Sequence, residues 1–443
     1  MRSPTMRRVL PGLFLAAAVA PAMGQATFTG VGDLKGGGEY SEVLGLSGDG
    51  QTVVGASIVG GSGFSQVFGA FRWTGAGLEA VYQNPAGESV RAQAASFSGG
   101  VIAGFADFGF FSTLGVQAFI WTPSTGAYLV GDLPGGSSGV PRSYARAVSA
   151  DGAVVACIGE SVEGTEAFRY EVATGGMTGL GDLPGGPFAS YGYGISADGS
   201  TIVGLSLSGA QTQESFMWRE ATGMVGLGFL PVAAGGVQFS QATAASADGA
   251  VIVGQSRTAV SINANEAFRW TESSGLVGLG DLPGGGFDSI AFGVSADGSV
   301  IVGRASVDQL PPCGIFGCGS AGRAFIWDAV NGMRDLEAVL SAAGATTEGW
   351  DLQEARAVSA DGRTIAGTGR NPTGAFEGWV AYFPPEPVCY ADCNVSGTLT
   401  VADFGCFQST YVLGDLYADC NGSGALSVAD FGCFQGKYVL GCP

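Results

Sequence analysis

The sequence predicts an all-β fold, a seven-bladed β-propeller of four-stranded blades, followed by a small α-helical module. Three observations carry this expectation. First, the stretch Val-Ser-Ala-Asp-Gly-Ser-Val-Ile-Val-Gly at residues 294–303 has near-copies along the chain. Their Asp-Gly pairs are Asp49-Gly50, Asp151-Gly152, Asp198-Gly199, Asp248-Gly249, Asp297-Gly298 and Asp361-Gly362, and Ser98-Gly99-Gly100 fills the one gap. The spacing, roughly 50 residues, is that of a repeat architecture. Second, an aromatic segment keeps the same period: Phe71-Arg72-Trp73, Phe119-Ile120-Trp121, Phe168-Arg169-Tyr170, Phe216-Met217-Trp218, Phe268-Arg269-Trp270 and Phe325-Ile326-Trp327, with Phe376 and Trp379 as a looser seventh copy. Third, there are 78 glycines among 443 residues, set between Val, Ile, Phe and Trp and free of any collagen period. Such a composition calls for many short strands and tight turns.

In chain order, the first element is a processing segment. Arg2, Arg7 and Arg8 precede an apolar run at residues 9–20, and small residues follow. The run is too short to cross a bilayer. This pattern predicts a signal peptide over residues 1–24, cleaved after Gly24 or Ala26, with a buried helix as the alternative. No other stretch is apolar and long enough to span a membrane. Export would place the cysteines in an oxidising compartment.

Each period then reads as four strands. Strand one ends at the Ser-Ala of the motif. Asp-Gly turns the chain, because it accepts the positive φ that a two-residue hairpin needs. Strand two is the apolar run after the turn, such as Thr201-Ile202-Val203-Gly204. Its consecutive apolar positions imply that both faces are covered, as between stacked blades. Strand three carries the aromatic segment. Strand four ends in Gly-Leu-Gly-Asp-Leu, and Gly-Asp-Leu-Pro-Gly-Gly recurs from Gly131, Gly181 and Gly280, with a variant from Gly32. The propeller is read over residues 25–383. Its first recognisable segment, residues 28–34, is of the strand-four type with no blade before it, and the last unit stops after strand three. The N-terminal strand is therefore expected to complete the last blade and close the ring. An open solenoid would need capping repeats, which the sequence lacks.

These motifs resemble those of the extracellular HAF-repeat proteins: an Ala-Phe-aromatic strand, Leu-Gly-Asp-Leu-Pro-Gly-Gly and Ser-Ala-Asp-Gly, over residues 28–383. The resemblance implies a secreted propeller-like domain and no established activity. The histidine that gives the family its name is replaced here, for instance by Glu166 or Glu266 before Ala-Phe.

Composition narrows the function. A net charge of −19 argues against nucleic acid as a partner, since phosphate binding needs clustered Lys and Arg. The absence of histidine removes His-based triads, general bases and metal ligands. The repeated Asp reads as turn chemistry, and the repeated Phe and Trp as inter-blade core, with a sugar-stacking platform as the alternative. Connections from strand two to three and from four to one vary in length and open on one face. Binding of a polysaccharide or protein ligand is expected there, near residues 306–323, which include Cys313 and Cys318, and residues 337–350. The catalytic alternative is a carboxylate-based glycosidase, which would need two acids to converge. Glu160, Glu163, Glu166, Asp288 and Asp308 lie outside the repeat consensus and are its candidates.

A proline-rich linker at residues 384–388 leads to a module at 389–443 that holds six of the nine cysteines. Here residues 392–403 align with residues 419–430. Oxygen ligands fall at the spacing of an EF-hand calcium loop, with glycine at its sixth position. The first loop offers Asp392, Asn394, Ser396, the Thr398 carbonyl, Thr400 by way of water, and Asp403. The second offers Asp419, Asn421, Ser423, the Ala425 carbonyl, Ser427 and Asp430. Two Ca2+ sites are thus expected, weakened toward the extracellular range by having two carboxylates each. Phe404, Phe407 and Tyr411, matched by Phe431, Phe434 and Tyr438, follow at helical spacing. The alternatives are a disulfide-held helical pair without metal and a zinc tetrathiolate, the latter unsupported by any Cys-x-x-Cys. Repeat-internal pairs, Cys393 with Cys406 and Cys420 with Cys433, share one spacing, and Cys389 with Cys442 would then clasp the ends; cross-repeat pairs are an equal option. Cys157 reads as a buried thiol in strand two.

Two such loop-helix units resemble a dockerin, over residues 389–442. The resemblance implies anchoring to a cohesin-like or other surface protein. It assigns partner selection to Val401-Ala402 and Val428-Ala429, an identical pair compatible with two docking orientations. The whole chain then reads as a secreted, non-catalytic, cell-surface binding protein.

Overall fold

The turn after strand one sets the geometry of every blade. In the fifth blade the buried Ser246 donates its hydroxyl to Asp248 Oδ1 (2.8 Å) and accepts from the Val251 N–H (2.9 Å), while Asp248 Oδ1 also accepts from the Ala250 N–H (2.9 Å). Gly249 donates to the Ser246 carbonyl at φ +66°, a conformation that favours glycine. The same bonds recur at Ser47/Asp49, Ser149/Asp151, Ser196/Asp198, Ser295/Asp297 and Ser359/Asp361. The hairpin is longer than the two residues expected. Ala245 pairs with Ile252, and the Ser246 N–H bonds the Val251 carbonyl around residues 247–250. The extra length makes room for the serine bridge.

The computed structural model describes residues 25–443 apart from 62–65, 84–87, 110–111, 137–138, 210–211, 233–234, 261–263, 285, 309–320, 386–390, 395–398, 416–417, 421–424 and 441–443. Two compact units are present, one of them Ala26–Phe383 and the other holding Pro384–Pro443. The first is a seven-bladed propeller of four-stranded antiparallel sheets. The fifth blade runs Ser240–Ala245, Ile252–Arg257, Asn265–Thr271 and Gly275–Gly278 in that order across the sheet.

Strand two is buried on both faces, as its unbroken apolar run requires; the first six residues of Val53–Gly60 and of Thr201–Ser208 are all buried. Its glycine is needed for close approach. A Cβ on Gly254 would lie 2.0 Å from the Gln241 carbonyl oxygen. Opposite it stands Phe268, and the equivalent Phe71, Phe119, Phe168, Phe216 and Phe325 are also fully buried. In the last blade Trp379 takes this place opposite Gly367, so the seventh aromatic copy is anchored on Trp379 rather than Phe376. Truncating any of these rings to alanine is worth about 3–5 kcal/mol of stability. Cys157, opposite Phe168 where most blades have glycine, is a buried free thiol, and burial pushes its pKa far up.

Strand four ends at or before the glycine of Gly-Asp-Leu, sooner than the sequence pattern implied. Gly280 has φ +83° and turns its N–H to Glu266 Oε1 (3.0 Å) instead of continuing the ladder. The last blade closes as expected: Thr27–Gly30 pairs antiparallel with Phe376–Tyr382, with Thr29 opposite Val380. Strand one of each blade is innermost. At its end the blades are stitched by backbone bonds of 2.8–3.0 Å, from the N–H of Asp49 to the carbonyl of Phe97, then through Ala150, Ala197, Ala247, Ala296 and Ala360 back to Gly48.

Helix α1 (Leu336–Ala342) lies within the connection into the last blade and is N-capped by Asp335. The C-terminal unit contains α2 (Val401–Val412) and α3 (Val428–Leu440). Their core is aromatic, with Phe407 and Phe434 fully buried and stacked at 4.1 Å between centroids. Among the described residues no helix is long and apolar enough to cross a membrane. Disulfides Cys393–Cys406 and Cys420–Cys433 are the repeat-internal pairs, and they occupy four of the cysteines that a zinc tetrathiolate would draw on. Residues 1–24, Cys389 and Cys442 lie outside the described residues.

At Asp151 and Asp297 the serine hydroxyl, then the backbone N–H two residues on, holds the carboxylate below its ordinary range; at Asp248 the N–H of Ala250 leads and Ser246 follows. A depressed folded-state pKa adds stability that is present above the unfolded carboxylate pKa of about 3.9 and is lost as pH falls through the folded value. These carboxylates are largely solvated, so each adds little and only their sum is measurable. Scanning calorimetry should show a steady Tm from about pH 7 to pH 5 and a fall below about pH 4. The fall should be shallower in the triple variant D151N/D248N/D297N.

Candidate functional site

Every strand one carries a β-bulge at the same place. The bulged residue is Leu44, Gln93, Arg146, Tyr193, Thr243, Phe292 or Arg356, in blade order. A bulge re-aims its side chain, and all seven line one cavity of about 390 Å3 at the centre of the ring. The flanking residues are held small because neighbouring inner strands nearly touch. A Cβ on Gly194 would lie 2.7 Å from the Thr243 carbonyl oxygen of the next blade. The fold therefore fixes the flanks as Gly, Ala or Val and leaves the bulged position free to vary.

The channel ends differ. Toward the tight turns, a cavity of about 160 Å3 is lined by Leu46, Val148, Ile195, Val294, Val358 and a ring of mostly alanine. Toward the variable connections the lining is polar and aromatic. Arg356 Nε pairs with Glu354 (2.8 Å), its guanidinium 4.4 Å from the Phe292 ring centroid. At the rim Arg91 Nε pairs with Glu42 (2.9 Å). Arg146 has only a long bond to Gln93 Oε1 (3.4 Å) and lies 5.4 Å from the Tyr144 ring. Burial lowers its pKa, against the pull of Tyr193 and Tyr144. Burial also pushes the Tyr193 hydroxyl up, opposed by Arg146. Tyr191 and Tyr193 are parallel at 6.5 Å, and Gln255 Nε2 donates to Gln241 Oε1 (2.8 Å).

The sequence pattern points to the face of the variable connections but to other residues than those lining this cavity. It looked to residues 306–323 and 337–350, where Arg323 bonds Glu337 Oε2 (2.7 Å) at the start of α1; residues 309–320, with Cys313 and Cys318, lie outside the described residues. The missed signal is the one variable residue two places before the leucine, alanine, valine or isoleucine that precedes the motif serine.

The candidate acids are dispersed. Glu166 and Glu266 accept the Gly181 and Gly280 N–H groups (2.9 and 3.0 Å), which explains an acid before Ala-Phe. Glu160 faces Arg142 at 3.7 Å, and Glu163 is exposed. Asp288 accepts from Asn265 and donates its N–H to Asp281 Oδ2 (2.9 Å), in a different blade from Glu160, Glu163 and Glu166. Burial, then two opposing backbone N–H bonds, then the charges of Asp288 and Glu266 leave Asp281 with a raised pKa. The Asp308 side chain lies outside the described residues.

In the C-terminal module, loop residues converge on the last carboxylate. Asp403 has no accessible surface; its Oδ2 accepts the Thr400 N–H (2.7 Å) and Oδ1 the Asn394 N–H (3.3 Å). The Thr400 N–H first, then Asn394 and a bond with Asp392, hold it low against desolvation. Asp430 is equally buried and accepts the Ser427 N–H (2.7 Å). In the first loop, positions one, three and nine are thus tied to position twelve, through a bond with Asp392 and the backbone N–H groups of Asn394 and Thr400. Asp419 and Ala425 lie in the second loop; Ser396, Thr398, Asn421 and Ser423 are outside the described residues. Among the described residues, no group of three His, Cys, Asp or Glu side chains is placed to hold a metal ion.

No family model matches the chain, and no curated protein does. Solved structures do. An oligogalacturonate lyase from Vibrio parahaemolyticus is 10% identical at a TM-score of 0.50, covering 82% of this chain and 98% of its own. The β-propeller domain of the trilobed protease from Pyrococcus furiosus is 10% identical at 0.48, covering 77% and 94%. TolB from Acinetobacter baumannii is 14% identical at 0.40, covering 75% and 80%. At these identities the likeness is one of fold, and folds of this kind carry both enzymes and binding proteins.

If Glu266 serves the backbone, Glu266→Ala should leave the Gly280 N–H unsatisfied and lower stability by about 1–3 kcal/mol. Glu266→Gln keeps an acceptor and should lie close to wild type in urea denaturation.

Proposed function

We propose that this chain is an exported ligand-binding propeller, held outside the cell by a calcium-dependent, dockerin-like module. The observation that carries it is the inequality of the two channel ends. One is lined by small repeat residues, and the other gathers seven side chains that the repeat leaves free. The HAF-repeat motifs, the basic and apolar leader, and two disulfides support export. A polysaccharide or protein ligand at the polar mouth suits its amides and rings.

The anchor reading is supported by duplication. Val401 and Val428 are 84% and 83% exposed, and Val412 and Val439 one helix-length further are 77% and 78% exposed. Residues eleven apart share a helix face, so each helix would present two exposed valines on one face to a cohesin-like partner. Ca2+ would be held by Asp392, Asn394, Ser396, the Thr398 carbonyl, Thr400 through water and Asp403, and by the matching set from Asp419 to Asp430. It would tie the loop to the start of the helix and so set the position of the first exposed valine.

Calorimetric titration of the full chain should find two Ca2+ sites with Kd of about 10⁻⁴–10⁻³ M, abolished in D403N/D430N. No heat at millimolar Ca2+ would sink the anchor. On a glycan array with a hydrolysis readout, the full chain should retain a glycan intact; turnover would favour the glycosidase alternative.

A further inference from the structure

The charges at the polar mouth do not cancel. Arg91 is matched by Glu42, and Arg356 by Glu354. Among the described residues, no carboxylate lies within ion-pair distance of Arg146, and its Nε has no hydrogen-bond partner. A chain of net charge −19 thus keeps one uncompensated guanidinium in its central cavity. Holding a partly desolvated charge without a counter-ion is unfavourable, and an arriving anion would recover that loss. The guanidinium presents a planar fork that matches a carboxylate. Around it, Tyr193 offers a hydroxyl and a ring face, Gln93 and Gln241 offer amides, and the buried Gln255 Oε1 has no partner. Amides and an unsatisfied carbonyl suit hydroxyl groups, and aromatic faces suit the C–H face of a sugar ring. A single excess positive charge fits a monoanion better than a phosphate dianion. The cavity of about 390 Å3 is of small-ligand size.

We infer that the channel mouth binds a hydroxyl-rich monocarboxylate of sugar-acid size, with Arg146 gripping the carboxylate and Tyr193, Gln93 and Gln241 reading the hydroxyls. This deepens the reading of the mouth as the ligand-binding end and rests on it. The test is calorimetric titration of the full chain with D-glucuronate, D-glucose and acetate. Glucuronate should bind at least about tenfold more tightly than either glucose or acetate, since it alone offers both groups. Arg146→Gln should weaken glucuronate at least about tenfold and leave glucose unchanged, while Arg370→Gln, at the exposed end of a strand, changes neither. If Arg146→Gln does not fold, the glucuronate-to-glucose ratio of the wild type decides alone. Equal binding of the two sugars, or an Arg146→Gln protein that keeps glucuronate affinity, overturns the inference. So does silence with all three probes up to about 10 mM. In either case an array signal lost in Gln241→Ala would leave the mouth standing as a binding site, and its absence would remove that reading as well.

Discussion

Seven backbone hydrogen bonds at the narrow end of the channel constrain everything else in the propeller. Each participating blade gives an N–H to the next and takes one from the previous, so the circuit has no free end. Such bonds add only about 0.5–1.5 kcal/mol each, but they fix how closely the inner strands approach. Close approach explains the small residues along strand one and the alanines of Ser-Ala-Asp-Gly. It also explains the bulge. Where flanking residues must be Gly, Ala or Val, a larger side chain is admitted only at a residue lifted from the ladder and aimed down the axis. Phe97 is the one large residue in the circuit, and it is 48% exposed.

The fold was legible because its rules are local and repeated. Ser-Ala-Asp-Gly fixes a turn, Val-Ile-Val-Gly fixes a strand buried on both sides, and the lone N-terminal segment marks the missing strand of the last blade. The hairpin length was not legible, because it depends on the serine hydroxyl reaching both Asp248 and Val251. Nor was the role of Trp379, since only strand register shows that it faces Gly367 as Phe268 faces Gly254. The site was hidden for the opposite reason. Repeat analysis attends to what recurs, while the cavity is built from what does not: Gln93, Arg146, Tyr193 and Phe292 occupy one repeat position with four different chemistries. In the C-terminal module the spacing allowed repeat-internal and cross-repeat cysteine pairs alike, and only the folded unit shows Cys393 bonded to Cys406.

The two units use duplication in different ways. In the propeller, repeated residues build a frame and a single varied position per blade lines the central cavity. In the module the two copies are nearly identical, down to the exposed Val401 and Val428, so duplication yields two equivalent surfaces rather than one composite site.

Closure of the last blade by Thr27–Gly30 has a kinetic consequence. Its partner, Phe376–Tyr382, lies at the far end of the propeller sequence. The ring cannot shut until nearly all of that sequence is available, and until then the last sheet lacks its outer strand. Contacts so distant in sequence form slowly and leave strand edges open meanwhile. The propeller therefore stays unclosed until Phe376–Tyr382 has been made, and locks only when that strand meets Thr27–Gly30.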